Sequence, residues 1–351
     1  MKRKERKINN KFDYLTSYKL ARSCNVVFSE ALTLEEFQGL EINDYSTVSK
    51  DERQIIYKLN NFNLKKNDTI FTNSYFIKNL FYLLKNLDQE LGITLITNQT
   101  DHLLHKEIYK LKPKCIKRWF SINVEHEAEN LIPVPLGLSN NYSPKNLLPQ
   151  DFDNFNEMND GIRKDKVYIN FNINTNFKER EQLYENFKEK EWTVVESSNL
   201  SKKEYYEKLA NHTFALAPWG NGVDTHRIWE SLYLGTIPIT KYHHTFSTSK
   251  DLPILFVNDY SEITRELLDA YLISSKEKKY SYEKLESNYW SSLILNQKDN
   301  LHRDLINIKS PKLITLFYLY EYRFKQLFHR YLKILIFYSK KIFKLINLVK
   351  K

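Results

Sequence analysis

The sequence predicts an α/β protein of two Rossmann-like units, with a basic amphipathic helical tail after them. Three observations carry this. Short apolar, β-branched runs alternate with longer stretches of helical period in two successive blocks, as in parallel sheets covered by helices. Between the blocks, residues 140–165 are rich in Asn, Pro and Asp, a linker composition. Three of the seven glycines fall within residues 220–235, directly after a strand-like run, and the carboxyl ends of strands are where open α/β sheets bind ligands. A chain of 351 residues that is 42% hydrophobic and 27% charged can bury two cores of ordinary size.

Taken in order, the first block offers strands at 25–28, 69–72, 93–97, 115–120 and 131–134, with helices at 75–87 and 102–111 between them. The second offers strands at 167–171, 193–196, 214–217, 237–239 and 254–257, with helices at 178–190, 202–211 and 261–272. The units divide as 12–150 and 151–300, and the tail runs over 311–351. No GxGxxG follows a strand and no GxxxxGK[ST] occurs, which argues against dinucleotide oxidoreductases and P-loop enzymes.

The densest chemistry lies in FALAPWGNGVDTHRIWESLYLGTIPIT, residues 214–240. A buried strand ends at Ala217; Pro218, Gly220, Asn221 and Gly222 form an open loop; Asp224 is placed to cap a helix that Gly235 ends. Free N–H groups at a helix start attract anions, and Arg227 in the first turn adds a planar fork suited to phosphate oxygens. Glu230, three residues on, shares that helix face and can accept hydrogen bonds from ribose hydroxyls.

The same string resembles the donor-binding motif of exostosin-like glycosyltransferases, family 47 and its bacterial and viral relatives. The matching positions are Pro218, Gly220, Asp224, His226, Arg227, Trp229, Glu230, Gly235, Ile237, Pro238 and Ile239. Weaker echoes lie in ITNQTDH (96–102), WFSIN (119–123), IPVPLGL (132–138) and VYINFNINTNFKER (167–180), where Asn170 stands in place of a frequent glycine. The resemblance implies a GT-B architecture, two Rossmann-like domains facing a cleft, with the first unit on the acceptor side and the second binding a nucleotide sugar. It implies a donor site built from Asn172, Arg180, Pro218, Gly220, Asn221, Gly222, Asp224, His226, Arg227 and Glu230.

For transfer of the sugar, Arg227 and the helix start would stabilise the leaving nucleoside diphosphate, and Asp101 or His102, after the third strand, would deprotonate the acceptor. No metal is expected, because the donor motif contains no Asp-x-Asp triplet, the metal–diphosphate clamp of the other large glycosyltransferase architecture. No cofactor is expected beyond the nucleotide-sugar co-substrate. The alternative is a catalytically silent nucleotide- or glycan-binding scaffold recruited to membranes.

The net charge of +10 is unevenly spread: residues 312–351 carry +9, residues 1–11 carry +5, and the body between them is −4. An acidic body argues against nucleic acid as a partner. The tail mixes aromatics with cations, and its longest charge-free run, 313–320, is far short of the ~20 residues that span a bilayer. It is expected to lie on an anionic membrane surface, near a glycan or lipid-linked acceptor. Two cysteines and the absence of an apolar leader suggest a cytoplasmic protein, peripheral on the inner face of a membrane.

Overall fold

The computed structural model describes residues 12–155, 163–295 and 305–349. α1 (Ser17–Arg22) begins at Thr16, whose hydroxyl accepts from the Lys19 N–H, and leads into β1 (Val26–Leu32). α2 (Leu34–Gln38) starts on a capping box between Thr33 and Glu36. β2 (Tyr45–Lys50) and β3 (Ile55–Leu59) form an antiparallel hairpin beside β1, and β4 (Asn61–Leu64) follows. β5 (Thr69–Asn73), α3 (Ile77–Leu84), β6 (Ile93–Asn98), α4 (Lys106–Tyr109), β7 (Ile116–Ser121) and β8 (Leu131–Pro133) complete a seven-stranded sheet of order β2-β3-β1-β5-β6-β7-β8. From β1 to β8 its pairings are parallel.

Its register explains why these strands read as continuous apolar runs. Ile70, Leu95 and Trp119 lie opposite one another and enter one core; Phe71, Ile96 and Phe120, each one position later, enter the core on the other face.

α5 (Pro149–Phe155) lies within the expected linker. β9 (Lys164–Ile169), α6 (Phe177–Phe187), β10 (Thr193–Val195), α7 (Lys202–Ala210), β11 (His212–Leu216), α8 (His226–Leu234), β12 (Ile237–Lys241), β13 (Leu255–Val257) and α9 (Arg265–Ser275) build the second sheet. All five strands are parallel, in the order β10-β9-β11-β12-β13. Val167 and Phe214 face one core and Tyr168 and Ala215 the other.

The chain then crosses back. α10 (Ser287–Leu295) inserts Trp290 and Ile294 among Leu20, Phe71 and Ile96, and the Arg118 guanidinium donates to the Leu293 and Ile294 carbonyls at its end. β14 (Ile306–Lys309) pairs antiparallel with β4, and α11 (Lys312–Val349) runs for 38 residues. Among the described residues no helix is long and apolar enough to cross a membrane.

Two differences from the expected elements have local causes. The helix expected at 102–111 is only α4, because Leu104 is extended: its N–H donates to the Asn123 carbonyl (2.8 Å) and it bridges Val124. The strands β2, β3 and β4 were not among those expected from the sequence.

Candidate functional site

The loop between β11 and α8 is latched from behind by one arginine. Arg180, 8% exposed on α6, donates Nε to the Trp219 carbonyl (2.9 Å), Nη1 to the Asn172 carbonyl (2.9 Å) and the Thr175 hydroxyl (2.6 Å), and Nη2 to the Pro218 carbonyl (2.8 Å). Burial, with the nearby Arg227 charge, lowers it to about 10. The guanidinium has five N–H donors, and these four contacts commit most of them to the fold. Arg180 therefore shapes the loop. Asn172, expected beside the donor, is exposed, with its side chain capping the next turn at the Asn174 N–H (2.9 Å).

The two glycines are explained by close approach. A Cβ on Gly220 would come to 3.1 Å of Arg180 Nη2, and one on Gly222 to 3.1 Å of Asn123 Nδ2 and 3.3 Å of the Asp101 Cα and carbonyl oxygen. Asn221 between them is exposed at the tip. Gly222 thus presses the loop against the turn after β6, where Asp101 sits.

Asp224 does not cap α8. The cap is Thr225, without a side-chain hydrogen bond to the helix start. Asp224, 4% exposed, accepts from the Leu136 N–H (2.8 Å) and from Trp229 Nε1 (2.8 Å), while its own N–H donates to Asn123 Oδ1 (2.9 Å). It ties the α8 entrance to the loops after β7 and β8. Burial pushes its carboxyl up to about 7, against the hydrogen bonds it accepts. Trp229 is 1% exposed and belongs to the core.

The first turn of α8 carries the groups that remain available. His226 Nδ1 lies 2.9 Å from the Gly137 carbonyl, so this nitrogen carries the proton in the neutral ring and Nε2 is left as an acceptor. Arg227 lies over the Tyr205 ring at 5.5 Å, and its Nη1 is buried without a hydrogen-bond partner among the described residues. The Thr225 hydroxyl is in the same condition. Glu230, 4% exposed, accepts from Tyr205 OH (2.7 Å) and more weakly from the Leu147 N–H (3.4 Å). Tyr205 escaped the sequence reading, since nothing in KKEYYEKLA marks one tyrosine of α7 as the partner of Glu230.

These residues frame a recess of about 170 Å³ between Asn146, Pro218 and the α8 first turn, with Arg180, His226, Arg227 and Glu230 on its walls. That is smaller than the ~300–1,000 Å³ of whole small-molecule sites, and so suits one charged portion of a ligand. Two unpartnered donors, a cation and an uncapped helix start all favour an anion. Asp101 and His102 do not line the recess. Both are exposed, and His102 meets the edge of Tyr75 at 4.7 Å. A larger hollow of about 420 Å³ opens at the other, amino end of β1, between Arg22, Asn25, Tyr57 and Phe62.

One Asp-x-Asp spacing does occur, at Asp151–Phe152–Asp153 on α5, outside the donor motif. Asp151 accepts from the Leu148 N–H (2.8 Å) and pairs with Lys202 (2.8 Å), and Phe152 is in the core. Among the described residues no three metal-ligating side chains are gathered.

No protein-family model matches the chain, and no curated protein does. Among solved structures, AviGT4, a glycosyltransferase involved in avilamycin A biosynthesis, aligns with a TM-score of 0.30 and 8% identity over 65% of this chain and 71% of that one. The GtfA/B complex aligns at 0.27 and 9%, over 66% and 54%. An α-glucosyltransferase in complex with UDP-glucose and DNA containing an abasic site aligns at 0.25 and 12%, over 65% and 75%. Similarity this low leaves the chemistry of the recess to its own residues.

Proposed function

We propose that the chain is a glycosyltransferase that moves a sugar from a nucleotide-sugar donor to a glycan or lipid-linked acceptor. The observation that carries this is Arg227: a guanidinium in the first turn of α8 with a buried nitrogen that lacks an acceptor among the described residues, beside the Thr225 hydroxyl, which lacks a partner among them too. In this reading the donor diphosphate occupies the recess. Arg227 and the first N–H groups of α8 stabilise the charge that grows on the departing nucleoside diphosphate, and Glu230 accepts from the ribose. His226 Nε2 contributes a further polar contact to the sugar or phosphate.

The unit 12–150 would hold the acceptor and the second-sheet part of 151–300 the donor, since α10, expected in the latter, packs into the core of the former. Asp101 and His102 are the candidate bases. The Asp101 backbone lies against Gly222 of the loop between β11 and α8. The tail 311–351 would rest on the inner face of an anionic membrane, in keeping with its +9 charge.

The test is a panel of nucleotide sugars with mass-spectrometric detection of released nucleoside diphosphate. At least one donor is expected to be consumed, and Arg227→Ala to slow it about ten- to a hundred-fold, from the ~1.5–3 kcal/mol of a charge-assisted contact. Turnover unchanged in that variant would overturn the assignment of the recess.

A further inference from the structure

Helix α11 has two faces with different fates. Leu319 and Tyr322 pack into the core of the first sheet, with Tyr322 stacked on Phe76 at 5.7 Å and edge-on to Tyr75 at 5.0 Å. Tyr318 OH donates to the Lys78 carbonyl (3.3 Å), and Gln326 Nε2 to Tyr75 OH (3.2 Å). Residues 315, 319, 322 and 326 recur at helical spacing and define this docked stripe. On the opposite side Leu313, Phe317, Tyr320, Phe324, Leu327 and Tyr331 recur at the same spacing, and each is 52–80% exposed. An apolar, largely aromatic stripe of this length on one helix is more than a scatter of exposed side chains.

Charge decides what covers it. Residues 312–351 hold ten Lys or Arg and one acid. A second copy packed stripe to stripe would set two +7 helices about 8–10 Å apart, within a Debye length at physiological salt. An anionic lipid surface accepts the aromatic stripe and the cations beside it together.

We infer that α11 is an interfacial strut that seats the protein on an anionic bilayer in one fixed orientation, with the Tyr75–His102 edge of the first sheet turned towards the lipid headgroups. The docked stripe makes the orientation fixed: Tyr75 touches both Tyr322 and His102, the latter at 4.7 Å. The bilayer lies on the far side of the helix, so that edge stands about one helix diameter, ~10–12 Å, from the surface. This deepens the membrane part of the proposed function and rests on it; the donor recess is independent of it.

The experiment uses the full chain with vesicles of phosphatidylcholine, with and without phosphatidylglycerol. In a Cys24→Ser background, with Cys115 buried, an environment-sensitive dye is placed at Lys78→Cys, beside the docked helix, or at Lys188→Cys on α6. The protein is expected to float with the anionic vesicles only, and the dye at 78 to shift on binding while that at 188 does not. Phe317→Glu with Phe324→Glu alters only exposed side chains and is expected to abolish flotation without lowering the melting temperature. Flotation that survives this double substitution would overturn the lipid-facing stripe. Equal dye responses at 78 and 188 would overturn the fixed orientation. A dimer in light scattering that the substitution dissociates would assign the stripe to a second copy. Arg227→Ala turnover, measured without vesicles, separates failure of this surface from failure of the transferase reading.

Discussion

Arg180 and Arg227 stand near each other and do opposite work. Arg180 gives its donors to three carbonyls and a hydroxyl of its own fold, whereas Arg227 lies over the Tyr205 ring with its Nη1 lacking a hydrogen-bond partner among the described residues. Arg227→Ala should therefore leave the chemical denaturation midpoint within experimental scatter of the parent while nucleoside diphosphate affinity falls about ten- to a hundred-fold by calorimetry. Glu230→Gln should weaken the free nucleoside diphosphate and the intact donor together, since both would present the ribose to it; calorimetry that finds the affinity for free nucleoside diphosphate unchanged would assign Glu230 to Tyr205 alone. Asp224 gives a pH signature. Its carboxyl is near 7 when folded and 3.8 otherwise, through burial. Between those values the folded chain keeps a proton that the unfolded chain has released, so this residue's contribution to stability declines as pH rises from about 4 to about 7. Urea midpoints over that range should slope less steeply downward for Asp224→Asn than for the parent. At this scale the sequence placed Arg227, His226 and Glu230 together on one helix turn because helical spacing is readable. Which carbonyl a buried side chain reaches is not, and that is why Asp224 was misjudged as the helix cap.

The loop between β11 and α8 is the element whose shape the recess depends on. Arg180→Ala strands buried carbonyls at about 1–3 kcal/mol each and should both lower stability and loosen donor binding. Gly222→Ala puts a methyl group against Asn123 and the Asp101 backbone. It is expected to cut turnover and to lower the thermal midpoint together, since Asn123 is buried and the Asp101 atoms met are backbone; steady-state kinetics beside a melt would detect both. Most parallel strands were legible because both faces of these sheets are buried, giving continuous apolar runs. The β2–β3 hairpin was harder. β2 is largely exposed and reads YSTVSK, with one buried residue, Val48, and no apolar run to mark it. The tail was legible as a helix but not as a docked one: Tyr322 looks like any other aromatic of the tail until Phe76 and Tyr75 are beside it. Removal of everything after residue 326 should preserve the melt, whereas a cut at 310 should lower it by uncovering Phe76.

At the scale of the molecule, +10 is the sum of a basic tail and amino-terminal segment around an acidic body. Salt should weaken vesicle binding only in part, because screening leaves the apolar stripe in place. Turnover is expected to survive chelation by EDTA, with the diphosphate charge met by Arg227 and the start of α8; complete loss restored by manganese or magnesium would show that a divalent ion takes that role.

The return crossing has a consequence for how this protein can be taken apart. Trp290 and Ile294 complete a core begun by Leu20 and Phe71, β14 finishes a ladder begun by β4, and Tyr14 bridges Glu286. The second sheet is thus an insertion within the first unit, and no single scission yields two self-sufficient halves. A fragment ending near residue 150 would display a raw apolar surface and should precipitate on expression. The excised middle, 163–285, keeps its sheet and one of its cores whole, but the other loses Leu138, Leu147 and Phe152, so a middle piece begun near residue 138 is the one in which to test the proposed nucleotide binding.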